Sequence, residues 1–207
     1  MSTSIHLQNY LASYDIGLAK VLRFARRVLE LFPTLQWVIS GRMAMILYAY
    51  MLNLKRPSFP NLNIDIIVNA NRNKNGLTVL EQSMITLMEQ NGFIRIVDEK
   101  ISEQVVSFYH SIASSIRIDI IFNRNDNLFA NPMWIENRKG KLLYPLENID
   151  NLLTRSKVNV LRNNVLNNIQ EEDLKEIVPS IKHHQINAQV EFDFLEYIKN
   201  NLTYNNL

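Results

Sequence analysis

Two six-residue stretches of this chain are nearly the same word: Asn63-Ile64-Asp65-Ile66-Ile67-Val68 and Arg117-Ile118-Asp119-Ile120-Ile121-Phe122. Both are rich in β-branched residues and read as strands. Side chains alternate along a strand, so Ile64, Ile66 and Val68 face one way with Ile118, Ile120 and Phe122, while Asp65 and Asp119 take the opposite face. Aspartate is depleted in strands, and two ionised carboxylates held close together repel unless a cation or a proton intervenes. A hard divalent ion, Mg²⁺ or Mn²⁺, suits such a place, because it takes one or two carboxylates, keeps several waters and shares its remaining positions with substrate phosphates. In phosphoryl or nucleotidyl transfer that ion offsets charge developing on phosphate oxygens. The plainer reading, in which each Asp points to solvent from a one-sided strand, stays open beside it.

The stretch Val38-Ile39-Ser40-Gly41-Arg42-Met43-Ala44 reads as a tight turn between a strand and a helix. Gly41 lets backbone N–H groups approach a phosphate, and the helix that follows presents the positive end of its dipole. Ser40 shares the turn, and the Arg42 guanidinium can hold a phosphate through two N–H groups. A glycine placed for steric reasons and an outward arginine are the ordinary alternatives. His183-His184 makes a poor chelating pair, since adjacent helical residues do not share a face. Trp37, Trp134, Tyr48, Tyr50, Phe108 and Tyr109 fall within strand and helix patterns and read as core rather than as base-stacking platforms.

The elements that position these residues follow from apolar spacing. Leu18, Val21, Leu22, Ala25, Val28, Leu29 and Phe32 mark a helix that Ser13 or Asp15 could cap and that Pro33 ends. Leu35 to Ile39 is a short strand, and Ala44, Leu47, Tyr48 and Met51 a helix after the Gly41 turn. A loop from Lys55 to Pro60 leads to the strand Leu62 to Val68, which the Asn-rich stretch Asn69 to Gly76 closes. Leu77, Leu80, Met84, Leu87 and Met88 form a helix stopped by Asn91-Gly92. Strand-like runs follow at Phe93 to Val97, Gln104 to Tyr109 and Ile116 to Phe122. Asn123 to Asn131 reads as turn, Leu142 to Tyr144 as an edge strand, and the chain from Glu147 as helix, with Pro179 breaking it before a last helix around Val190 to Ile198. Strands interleaved with helices, then consecutive strands, predict an α/β (α+β) class: a mixed sheet with flanking helices over residues 1–145 and a C-terminal helical region over 146–207.

Bulk properties exclude several classes. With 47% hydrophobic residues the chain can bury a core, and the longest apolar stretch, Met43 to Leu52, is too short to cross a bilayer. The first residues lack a secretory pattern, and there is no cysteine for a disulfide or a thiolate metal site. The expected location is cytoplasmic. A net charge of +2 does not announce a nucleic-acid binder, but it is unevenly spread. Residues 1–80 hold nine Lys/Arg against three acids, and the remainder 13 against 17. The basic half either faces an anion or, at Lys20, Arg23, Arg26 and Arg27, is the solvated side of a helix.

The order of features, a glycine turn, a helix, a carboxylate-bearing strand and a later strand with another carboxylate, resembles the nucleotidyltransferase superfamily of polymerase-β-like fold, especially its small AbiEii-like, toxin–antitoxin members. The likeness covers about residues 35–125. The family pattern of two small turn residues closely followed by alanine, then Asp-x-Asp, then a third aspartate, falls on Gly41, Arg42 and Ala44, then Asn63-Ile64-Asp65, then Asp119. The resemblance implies a nucleotidyltransferase-like domain over 1–145 that moves a nucleotide from a nucleoside triphosphate to a hydroxyl of RNA, a protein or a small molecule, with Mg²⁺ or Mn²⁺ held by Asp65 and Asp119 and weakly by Asn63. It also implies nucleotide contacts from Ser40, Gly41, Arg42 and Lys157, the last in Leu152-Leu153-Thr154-Arg155-Ser156-Lys157-Val158, and a later acidic match at Asp173. The chain departs from the pattern at Arg42, where a second small residue would stand, and at Asn63, where the first aspartate would stand. An amide oxygen carries no charge, so a second ion binds less well. The alternative reading therefore keeps the fold without turnover, as a nucleotide-binding or partner-binding module with a cognate protein partner.

Overall fold

The computed structural model describes residues 3–59, 62–70, 78–96, 104–136, 140–167 and 178–205. Within them the chain is α/β: helices α1 (Thr3–Ala12), α2 (Leu18–Leu29), α3 (Gly41–Met51), α4 (Val79–Gln90), α5 (Asp126–Phe129), α6 (Ile149–Asn167) and α7 (Val178–Asn205) accompany strands β1 (Trp37–Ser40), β2 (Asn63–Val68), β3 (Phe93–Ile96), β4 (Val105–His110), β5 (Ala113–Phe122), β6 (Met133–Glu136) and β7 (Leu142–Leu146). The strands form one mixed sheet in the order β3-β4-β5-β2-β1-β7-β6. Two compact units divide the chain, residues 1–147 and 148–207. Among the described residues no helix is long and apolar enough to cross a membrane.

The core of the first unit lies on the isoleucine face of the sheet. Ile64, Ile66, Val68, Ile118, Ile120 and Phe122 are all buried. Helix α2, whose stripe from Leu18 to Leu29 is wholly buried, packs against β5 and α4; α3 packs against β1 and β2, and α4 against β3. Burying such aliphatic side chains contributes roughly 1.5–3 kcal/mol each before chain entropy is subtracted. Tyr48 on α3 is also fully buried, and its hydroxyl donates to the Glu147 carbonyl at 2.9 Å, tying α3 to the end of β7. Tyr48→Phe leaves that carbonyl without the phenol, so we expect a loss of about 1–2 kcal/mol, read as a lower urea midpoint at unchanged slope.

His110, the last residue of β4, pairs with Phe93 at the start of β3. Its ring stacks on Phe24 at 5.3 Å and meets Phe93 edge-on at 4.6 Å. The Ile112 N–H donates to Nδ1, so the ring proton sits on Nε2 and reaches the Asn91 carbonyl at 3.0 Å. This histidine, one residue beyond the expected strand Gln104 to Tyr109, has a structural role that the sequence reading did not identify.

Several elements differ from the sequence reading. Helix α1 was not expected; Leu7 and Leu11, four apart and buried, are the pair that anchors it. The residue before α2 is Gly17, without a side-chain cap, and Asp15 instead accepts from the Gly17 N–H at 2.6 Å. A single helical turn, α5, interrupts the polar stretch after Asn123, because Leu128 and Phe129 bury against Val38 and Ile67. Strand β7 is interior, between β1 and β6, and the unexpected β6 is the edge. Trp134 and Tyr109, read as core, are exposed, whereas Tyr48 and Phe108 are buried. The last helix is longer than the expected Val190 to Ile198, running Val178–Asn205 with Pro179 in its first turn, where a missing N–H removes no intrahelical bond.

Burial raises the pKa of Tyr10, Tyr14 and Tyr144 above the usual phenol value, with the Tyr10–Tyr14 hydroxyl contact adding to the shift at Tyr14. A folded-state value above the unfolded one means that their contribution is complete below pH ~10 and is lost as pH rises through the folded value. In a spectrophotometric titration, Tyr10, Tyr14 and Tyr144 should ionise above the usual phenol range, together with alkaline unfolding.

Candidate functional site

Strands β2 and β5 run parallel with the two related words in register, so Asp65 stands directly beside Asp119, and Asn63 beside Arg117. Adjacent strands lie about 4.8 Å apart, which puts the two residues at neighbouring positions on one face. The neighbouring strands extend the row. Ser40 on β1 opposes Asp65, and Ser107 on β4 opposes Asp119. A polar line, Ser107, Asp119, Asp65, Ser40, therefore crosses four strands. Beyond Asp65, toward the C-terminal end of β2, the same face is apolar, with Ile67, Ile121 and Val38 covered by α5. In the other direction it is open: Arg117 is 39% exposed, and its register neighbours across β4 and β3, Tyr109 and Ile94, are exposed as well.

Asp119 is nearly buried and firmly held. Ser107 Oγ donates to its Oδ1 at 2.5 Å, and Arg117 Nε and Nη2 donate to its Oδ2 at 3.0 and 2.8 Å. Arg117 and Asp119 are two apart on a strand and thus share a face, a spacing visible in the sequence but not used there. Ser107 could be found only from the register.

Asp65 is positioned from the other side by the turn. Gly41 has φ +58°, the left-handed region, and a Cβ placed on it would collide with Asp65 Oδ2. Glycine at 41 is thus required twice, by its backbone and by the carboxylate lying against it. Because α3 begins at Gly41, that carboxylate also sits at the positive end of a helix dipole. Ser40 is buried in the turn, and the Arg42 guanidinium lies over the Phe59 ring at 5.9 Å from its centre. Lys157 belongs to the second unit, where it is exposed on α6 in a groove with Leu153, Phe192 and Glu196, beside the Lys199–Asp150 ion pair of 2.7 Å. Asp173 lies outside the described residues, and so do the side chains of His183 and His184.

The donor set fits one hard divalent ion delivered with phosphates. Two carboxylates in adjacent register would supply its oxygen ligands, while among the described residues no group of three or more His, Asp or Glu gathers to form an all-protein cage. The Arg117 guanidinium already compensates the Asp119 carboxylate. No protein-family model, curated protein or solved structure matches this chain.

Proposed function

We propose that this protein transfers a nucleotide from a nucleoside triphosphate to a hydroxyl acceptor, using the face of the sheet that carries Asp65 and Asp119. The observation that supports this reading best is the in-register placement of the two carboxylates beside the Gly41 turn. In the reaction the acceptor oxygen attacks the α-phosphorus, the bond to the bridging oxygen breaks, pyrophosphate leaves with the bonding pair, and the hydroxyl proton passes to solvent. Bound Mg²⁺ or Mn²⁺ would offset charge on the phosphate oxygens. Asp65 and Asp119 would hold that cation, and Asn63 would lend an uncharged oxygen at its margin. Gly41 and Ser40, at the start of α3, with Arg42 beside them, present N–H groups and a positive end to the triphosphate. RNA, protein and small-molecule hydroxyls are all open as acceptors.

The ion pair on Asp119 favours a second reading, in which the same face binds nucleotide or a partner protein without turnover, because the guanidinium already compensates one carboxylate. Incubation with α-labelled triphosphates and Mg²⁺ or Mn²⁺, offering tRNA, protein and small acceptors, separates the two. Label transfer by wild type and none by Asp65→Asn, Asp119→Asn is the expected result. Equal labelling by both chains overturns the enzymatic reading, and binding in a calorimeter without transfer establishes the second.

A further inference from the structure

We propose that Arg117 is a resident cation of this site, standing beside Asn63, and that it moves from Asp119 to a phosphate of the bound triphosphate. The inference rests on the reading of this face as a nucleotide site and adds a binding residue that the sequence likeness does not assign.

Register places the guanidinium-bearing residue directly beside the amide of Asn63, one pair along from the two carboxylates. An uncharged amide thus stands at one position and a fixed positive charge at the neighbouring one. A second divalent ion at Asn63 would meet an uncharged oxygen and a nearby like charge, both unfavourable. A phosphate oxygen in the same place would meet a planar fork of donors suited to it.

The bonding around Asp119 lets Arg117 leave. Both arginine contacts fall on Oδ2, while Oδ1 is held separately by the Ser107 hydroxyl at 2.5 Å. The carboxylate therefore stays anchored when the guanidinium swings away. Arg117 uses two of its five N–H groups on Asp119, and its side chain is 39% exposed against 8% for its partner. An ion bound between Asp65 and Asp119 repels the guanidinium and weakens its hold on Oδ2 at the moment when phosphates arrive to receive it. A static clamp, by contrast, would only keep Asp119 in its rotamer and compete with the metal.

Calorimetric titration with Mn²⁺ alone, and with preformed Mn²⁺–tripolyphosphate, which carries phosphates without choosing a base, tests this on wild type, Arg117→Gln, Arg117→Lys and the double variant Asn63→Asp, Arg117→Gln. For Arg117→Gln the two affinities should move in opposite directions. Mn²⁺ alone binds several-fold more tightly, because Asp119 has lost its counterion, and the tripolyphosphate complex binds about tenfold or more weakly, because a charge-assisted contact is gone. Arg117→Lys recovers part of the phosphate affinity, and the double variant binds Mn²⁺ at two per chain in place of one. Tripolyphosphate binding that is unchanged or tighter in Arg117→Gln makes the arginine a clamp and overturns the proposal while the site reading stands. Wild-type protein that binds neither probe removes both.

Discussion

Asp65→Asn and Asp119→Asn should each reduce nucleotidyl transfer by about a thousandfold or more, roughly 4 kcal/mol of transition-state stabilisation, yet they should act differently on the fold. The loss of activity follows from removing half of the negative charge that holds the cation. The difference in stability follows from what surrounds each carboxylate. Asp119 accepts one hydrogen bond from Ser107 and two from Arg117, so its replacement leaves a partly exposed guanidinium and a buried hydroxyl to find new partners. Because Arg117 is 39% exposed, water recovers much of that loss, and about 1 kcal/mol is the expected destabilisation. Asp65 instead rests against the Gly41 turn at the start of α3 and faces Asp119 in register, so its replacement removes one contact favoured by the helix dipole and one like-charge contact. Label transfer measured beside thermal melts checks both parts. An Asp65→Asn chain that is fully active would show that the paired carboxylates do not serve the reaction, whatever its stability.

How much of this was legible in the sequence depends on whether a feature is local. The strand words around Asp65 and Asp119 were readable because β-branched residues and a two-residue period leave little choice of element or face, and the register then sets the two acids side by side. Helix α2 was readable for the corresponding reason, a stripe of six buried positions at helical spacing. Strand β6 was not, because its Met-Trp-Ile-Glu run is short and exposed except at Ile135, and its pairing with β7 supplies what its own pattern lacks. Helix α5 is one turn long and exists because Leu128 and Phe129 find Val38 and Ile67 from distant strands. Within the site, Arg117 could have been inferred from its two-residue spacing to Asp119, but Ser107 could not, since its partnership depends on the pairing of β4 with β5. The reason for Gly41 was half visible. A tight turn called for glycine, whereas the carboxylate filling the place of a Cβ needed the antiparallel pairing of Ser40 with Asp65.

That contact carries the second large effect. Gly41→Ala must place a side chain in the left-handed region, at about 1–2 kcal/mol, and must also displace the Asp65 carboxylate, an overpacking cost of about 1–3 kcal/mol. Gly140 separates the two contributions. It too has a positive φ, +69°, but a Cβ there meets nothing within 4 Å, so Gly140→Ala should show the backbone cost alone. Denaturant unfolding of both variants should therefore find Gly41→Ala the more destabilised by the overpacking amount. A double-mutant cycle sharpens the point, because Asp65→Ala vacates the space and should return about that much stability to Gly41→Ala, a coupling absent between Asp65 and Gly140. The functional consequence follows from the same geometry. An alanine at 41 pushes Asp65 off the register position beside Asp119, so Mn²⁺ affinity should fall in Gly41→Ala and not in Gly140→Ala. Equal stability losses with no coupling to Asp65 would mean that the carboxylate does not rest against the turn, and the link between the glycine and the acidic pair would be lost with it.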